Sequence, residues 1–149
     1  MAATVYFWDS GVGHAAIRVN GPDGSFDLSW HPQDKRMGSG INGPHRRADL
    51  TAELAETPPR HELVLEGLDE VAMVAWERDL TLSNYQFFNN NCAHLVALAL
   101  DAGKADIAIQ SWTRRWYVRD QVLVWSPQEV FKYAQAAHEG LVHSRVLPA

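Results

Sequence analysis

The sequence predicts an α+β fold, an antiparallel sheet packed on a buried helix that carries the sole cysteine at its N-terminus, and three observations point to it. Strand-like runs separated by Gly, Asn, Asp and Pro turns fill the first thirty or so residues. The stretch from Cys92 to about Asp101 is apolar nearly all round, which is the pattern of a helix buried on every side. Ser126-Pro127-Gln128-Glu129 has the form of a capped helix start, with Pro at the first position and Glu at the third.

Composition narrows the class. The 149 residues, 46% apolar and 21% charged, suit one globular domain spanning 1–149 with a real core. A single cysteine makes no internal disulfide, so a free thiol is available. A formal charge of −5 argues against nucleic acid as a partner, because phosphate binding rests on clustered Lys and Arg. The start of the chain has no basic n-region and no later run approaches membrane-spanning length, so a cytoplasmic protein without an integral membrane segment is expected. Gly11 and Gly13 lack the third glycine and the following helix of a phosphate-binding fingerprint. No cofactor and no metal are expected.

Taken in order, Val5–Trp8 reads as a first strand, stopped by Asp9-Ser10-Gly11-Val12-Gly13. His14–Val19 and Ser25–His31 flank Asn20-Gly21-Pro22-Asp23-Gly24, a hairpin signal. Alternation gives Ala15, Ile17, Val19, Phe26, Leu28 and Trp30 to the core face and leaves His14, Ala16 and Arg18 beside Asp27, Ser29 and His31 on the other. If Val19 pairs with Phe26, counting back sets His14 opposite His31, and a slip by two brings in Ser29 instead. A long loop follows, Gly-rich through Gly38–Pro44 and reaching Pro59, with one helical turn near Ala48–Leu54. His61–Glu66 reads as a strand, and Asp69 caps a helix containing Val71, Met73, Val74 and Leu80. Beyond the Cys92 helix, which Gly103 stops, Ile107–Ile109, Trp112, Trp116–Val118 and Val122–Trp125 suggest short strands and loops with core aromatics. A last helix runs from Pro127 to Gly140.

Cys92 follows three asparagines at the start of its helix, where unpaired N–H groups and partial positive charge favour a thiolate and an oxyanion. A thiol nucleophile needs a base, and His94, two positions away, points to another side of the helix. His14 is the better candidate because Gly11 and Gly13 open its strand end. His31 is then the third residue that orients the base, with Ser29 and Asp27 as the alternatives on the same face.

Gly13-His14 opening a strand, the Ser29-Trp30-His31-Pro32 box, and Tyr85 seven residues before Cys92 with Asn91-Cys92-Ala93-His94 resemble the circularly permuted papain-like superfamily. Its members include NlpC/P60-related hydrolases, PPPDE peptidases and the lecithin retinol acyltransferase group. The resemblance implies Cys92 as nucleophile, His14 as base, His31 as third residue, and Tyr85, Gln86 and Asn91 near the oxyanion or substrate. It implies a hydrolase that cleaves an amide of a peptide, peptidoglycan or protein through a thioester. A lipid acyl hydrolase or acyltransferase and a catalytically inactive binding module are the alternatives. Ala93 replaces the acidic residue of the acyltransferase box, which weakens the lipid reading. The Trp-His-Pro box, Leu68-Asp69-Glu70-Val71-Ala72-Met73 and the Pro-headed last helix also resemble bacterial effector or toxin domains. That likeness implies export by a signal-peptide-independent apparatus, with an immunity or secretion-apparatus protein as a partner.

Overall fold

The computed structural model describes residues 1–9, 13–32, 42–43, 45–80, 85–86 and 91–146. The expected Ser10–Val12 turn, the Gly38–Ile41 loop and the Asn89–Asn90 run lie outside the described residues.

An antiparallel four-stranded sheet in the order β3-β2-β1-β7 is built from β1 (Ala2–Trp8), β2 (His14–Asn20), β3 (Ser25–Leu28) and β7 (His61–Leu65). Trp8 pairs with His14 across β1 and β2, and across β2 and β3 Val19 pairs with Phe26, as alternation predicts. The turn between the latter two is closed by the Gly21 N–H donating to the Gly24 carbonyl at 2.8 Å. The ladder ends at Leu28, so His31 is not the ladder partner of His14. Instead β4 (Trp30–Pro32) leaves the sheet and pairs with β6 (His45–Arg47), setting His31 against Arg46. A further two-residue strand, β5 (Asn42–Gly43), pairs with β8 (Tyr85–Gln86).

Both faces of the sheet are covered. Ala3, Val5, Phe7, Ala15, Ile17, Val19, Phe26, Leu28 and Leu65 form one core with α2 (Glu70–Arg78), α3 (Cys92–Ala102) and α6 (Pro127–Val146). Tyr6, Trp8 and Ala16 point the other way and are covered by Leu50 and Leu54 of α1 (Leu50–Glu56). Alternating side chains thus meet helices on each side, which fixes the register because a one-residue slip would exchange the two sets.

The direction of α3 follows from its ends. At the start, the Asn91 side-chain N–H donates to the Trp125 carbonyl at 2.9 Å, and Pro127, two residues on, packs against Gly13. At the far end, the Asp69 N–H donates to the Gly103 carbonyl at 3.0 Å, and Glu70 packs against Gly21 after β2. Helix α3 therefore runs the same way as β2, with Cys92 and His14 at one end of the molecule. Asp101, near the other end, accepts two bonds from Arg119 at 3.0 and 2.9 Å and one from the Tyr133 hydroxyl at 2.6 Å.

The strands and loops expected over 107–118 are corrected to helical turns, α4 (Ala105–Ala108), α5 (Trp112–Arg115) and a π-helical turn over Trp116–Asp120, whereas Val122–Trp125 is a loop as expected. Ser111 caps α5, and the Gln121 N–H reaches back five residues to the Trp116 carbonyl at 2.9 Å. The core aromatics expected here divide: Phe131 and Tyr133 are buried, whereas Trp112, Trp116 and Tyr117 are exposed. Gly140 does not stop the last helix, which continues to Val146. A Cβ at Gly140 would collide with the Ala108 carbonyl oxygen, so the glycine is needed where α6 passes the backbone of α4.

Gly140→Ala sets helix propensity, a gain of about 1 kcal/mol, against a clash with main-chain atoms. Backbone yields less readily than a side chain, so the clash should win and unfolding free energy should fall by roughly 1–3 kcal/mol in urea titration. A more stable variant would mean that α4 and α6 do not touch there.

Candidate active site

Four side chains converge beside Trp8: His14 of β2, Ser29 between β3 and β4, His31 of β4, and Glu53 of α1. Ser29 is at the centre and fully buried. Its hydroxyl donates to Glu53 Oε1 at 2.5 Å and lies 2.9 Å from His14 Nε2 and 3.3 Å from His31 Nε2. His31 Nε2 is also 2.6 Å from Glu53 Oε2, and the two imidazole rings stack with centroids 4.1 Å apart. The Trp8 ring lies 5.1 Å from that of His14, and its indole N–H donates to the Thr57 carbonyl at 2.7 Å.

The local sequence explains the convergence. Ser29 separates β3 from β4, and its carbonyl accepts the Ala48 N–H at 2.8 Å, which holds the return strand β6 close. Asp49 then caps α1 through its side chain. Leu50 and Leu54 of that helix seat on the Tyr6 and Trp8 face. Glu53, three residues after Leu50, shares their side of the helix and is directed at Ser29.

Proton counting assigns the tautomers. Burial raises the pKa of Glu53, but the hydrogen bonds from His14, His31 and Ser29 outweigh it, and the carboxyl is held well below its usual range. At neutral pH Glu53 is therefore ionised and only accepts. The one hydroxyl proton of Ser29 points at Glu53, so Ser29 must accept from His14, whose Nε2 carries the proton. His31 likewise donates from Nε2 to Glu53. In neutral His14 the basic nitrogen is then Nδ1.

Cys92 is the first residue of α3, 6% exposed, and Asn91 caps that helix by accepting the His94 N–H on its side-chain oxygen at 2.8 Å. With the Trp125 bond of its amide, Asn91 ties the cysteine's end of α3 to the segment before α6. His94 is half-buried, and burial lowers its pKa. Strand alternation puts His14 on the Trp8 face, opposite the face that α3 covers, so any approach of Cys92 to His14 goes round the end of β2 at Gly13. Gly13 has φ of +84°. A side chain there would be strained and would press on the Trp8 carbonyl, 3.1 Å away.

Of the residues singled out from sequence, His14, Ser29 and His31 come together. Asp27 does not join them; it makes a two-point ion pair with Arg18, at 2.7 and 3.0 Å, four residues further along β2. Tyr85 and Gln86 form β8, and their side chains lie outside the described residues. Glu53 was not foreseen, although a carboxylate three residues from Leu50 and one from Leu54 on the apolar side of a short helix was a signal. His14, His31 and Glu53 are also a set of donors that could hold a metal ion. Beyond Trp8 lies a cleft of about 530 Å³ lined by Trp8, Asp9, Thr57, Pro58, Arg60 and His61.

Glu53 stabilises the fold through its depressed pKa. Folded Glu53 binds a proton less readily than unfolded Glu53, so its contribution is complete above the ordinary value of about 4.3 and is lost as pH falls below it. Glu53→Ala should lower stability by roughly 1–3 kcal/mol near pH 7, and the gap from the unmutated chain should narrow under acid in urea titrations across pH. A gap that widens under acid would contradict the ionised network.

Over 82 residues, half of this chain, it is 43% identical to the multifunctional-autoprocessing repeats-in-toxin of Vibrio vulnificus, so the relative ties it to bacterial toxins. The chain spans about 1% of the length of that relative. No solved structure matches. The family model of the IcsB middle domain matches residues 29–144, a span that holds Ser29, His31, Glu53 and Cys92 and begins after His14. The chain belongs to the IcsB middle domain family.

Proposed function

We propose that this domain is a cysteine-dependent hydrolase of the permuted papain-like kind that cleaves an amide through a thioester. Cys92 is the nucleophile and His14 its base. The observation that carries this reading is the Ser29 hub, which holds His14 as the Nε2–H tautomer and leaves Nδ1 to take the thiol proton. The common end of α3 and β2 supports the pairing, and the helix start at Cys92 favours thiolate.

The steps follow from these roles. Cys92 loses its proton to His14 Nδ1 and attacks the carbonyl, and the oxyanion is stabilised at the helix start. The protonated His14 returns that proton to the leaving amine, and water then opens the thioester with His14 again as base. Ser29 and Glu53 orient the imidazole and stabilise its cationic form, and His31 holds Glu53 in place. The cleft beyond Trp8 carries Asp9, Arg60 and His61, which suits a polar peptide, peptidoglycan fragment or protein side chain. As a module related to a bacterial toxin, the domain would act as an effector.

One observation favours a second reading, action on a lipid acyl chain. Trp112, Trp116, Tyr117 and Leu123 are exposed, Leu123 at 95%, on the segment that leads to Trp125 and the Asn91 cap.

Intact-protein mass spectrometry with peptide, peptidoglycan-fragment and acyl thiol-directed probes separates the readings. The polar probes should form an adduct that Cys92→Ala abolishes, and His14→Ala should slow its formation by roughly 100-fold. Cys92 should also alkylate with iodoacetamide well below the ordinary thiol range of about pH 8.5, and His14→Ala should move that profile upward. An adduct from the acyl probe alone would establish the lipid reading, and no adduct from any probe would leave a binding module.

A further inference from the structure

We infer that His14, His31 and Glu53 form a zinc-binding site, and that zinc there switches the thiol chemistry off. Two imidazoles and a carboxylate are a donor set suited to zinc rather than to magnesium or calcium, which prefer oxygen alone. The three offer ligand atoms that all lie within 4.8 Å of one another. Neighbouring donors on a tetrahedral zinc of about 2.1 Å radius lie about 3.4 Å apart. His14 Nε2 and Glu53 Oε1 are already at 3.5 Å, whereas His31 Nε2 and Glu53 Oε2, hydrogen-bonded at 2.6 Å, would part by a fraction of an ångström to admit the ion.

Direction matters as much as distance. Both Nε2 atoms and Glu53 Oε1 gather round the Ser29 oxygen, so the donors converge beside that hydroxyl. Ser29 forms the buried wall of the site. The side chains of His14, His31 and Glu53 remain 14, 16 and 20% exposed, which leaves an open side for a cation and a water ligand. The ligands come from β2, β4 and α1, three elements joined elsewhere by backbone pairing and apolar contact.

Zinc coordinated at Nε2 requires the other tautomer. Each neutral ring keeps one proton, which moves through solvent from Nε2 to Nδ1, so no charge is lost from the imidazoles. In His14 that proton lands on the nitrogen that would otherwise accept from Cys92. Zinc binding and base function thus compete for one ring. This switch rests on the thiol reading, whereas the binding itself does not.

The test uses the Cys92→Ala chain, which has no thiol to bind metal. Calorimetric titration with zinc chloride should give one zinc per chain, with affinity lowered roughly tenfold or more by adding His31→Ala or Glu53→Ala. Circular dichroism checks that each variant is folded. For any that is not, cobalt(II) bound to the chain with Cys92 intact gives the second measurement. Its absorption should show tetrahedral d–d bands without a thiolate charge-transfer band. The inference is overturned by the lack of one-to-one binding in the Cys92→Ala chain, by affinity that His31→Ala and Glu53→Ala leave unchanged, or by a thiolate band with cobalt. In the chain with Cys92 intact, stoichiometric zinc should slow iodoacetamide alkylation; binding without slowing would retain the site and overturn the switch.

Discussion

The single proton of the Ser29 hydroxyl is the constraint on which the site depends. It has one direction available, toward ionised Glu53, and that choice obliges His14 to donate from Nε2. A hydroxyl buried to this degree without partners would cost on the order of 1–3 kcal/mol. The architecture supplies those partners by ending β3 one residue earlier, pairing β4 with β6, and turning α1 so that Glu53 faces inward. Network and fold are therefore coupled: disturbing α1 removes the carboxylate as well as the cover over Tyr6 and Trp8.

The sheet separates the chemistry from the bulk of the core. Helices α2, α3 and α6 pack on one face, and the imidazoles, the hydroxyl and the carboxylate gather beside Trp8 on the other. Cys92 belongs to a helix of the first face and His14 to the second, so they can meet only round the end of β2. Gly13 sits at that strand end with a backbone conformation that an L side chain resists. Pro127 and Trp125 close the same end from outside, the latter through Asn91.

Much of this was legible in the sequence where one period dominates. The alternation of Ala15, Ile17 and Val19 with Phe26 and Leu28 predicts the observed register, and the continuous apolar run after Cys92 predicts the buried α3. His14 and His31 meet as expected but by ring stacking, because Ser29 interrupts the strand before the ladder can reach them. Glu53 was missed because the stretch before it has no period, and its partners lie 22 and 24 residues away in sequence. The region of 105–120 misled for another reason. Its Trp, Tyr, Ile and Val residues favour strands by propensity, yet short caps and packing on α6 make helical turns that leave Trp112, Trp116 and Tyr117 outside.

The tautomer of His14 is the most direct measure of this account. Long-range proton–nitrogen correlation spectra of the chain, labelled with nitrogen-15 in histidine and assigned by His14→Gln, distinguish a protonated ring nitrogen from an unprotonated one. In metal-free protein at neutral pH, His14 should show the proton on Nε2 and a bare Nδ1, and Ser29→Ala should mix the two forms. A proton fixed on Nδ1, or a pattern that Ser29→Ala leaves untouched, would contradict it.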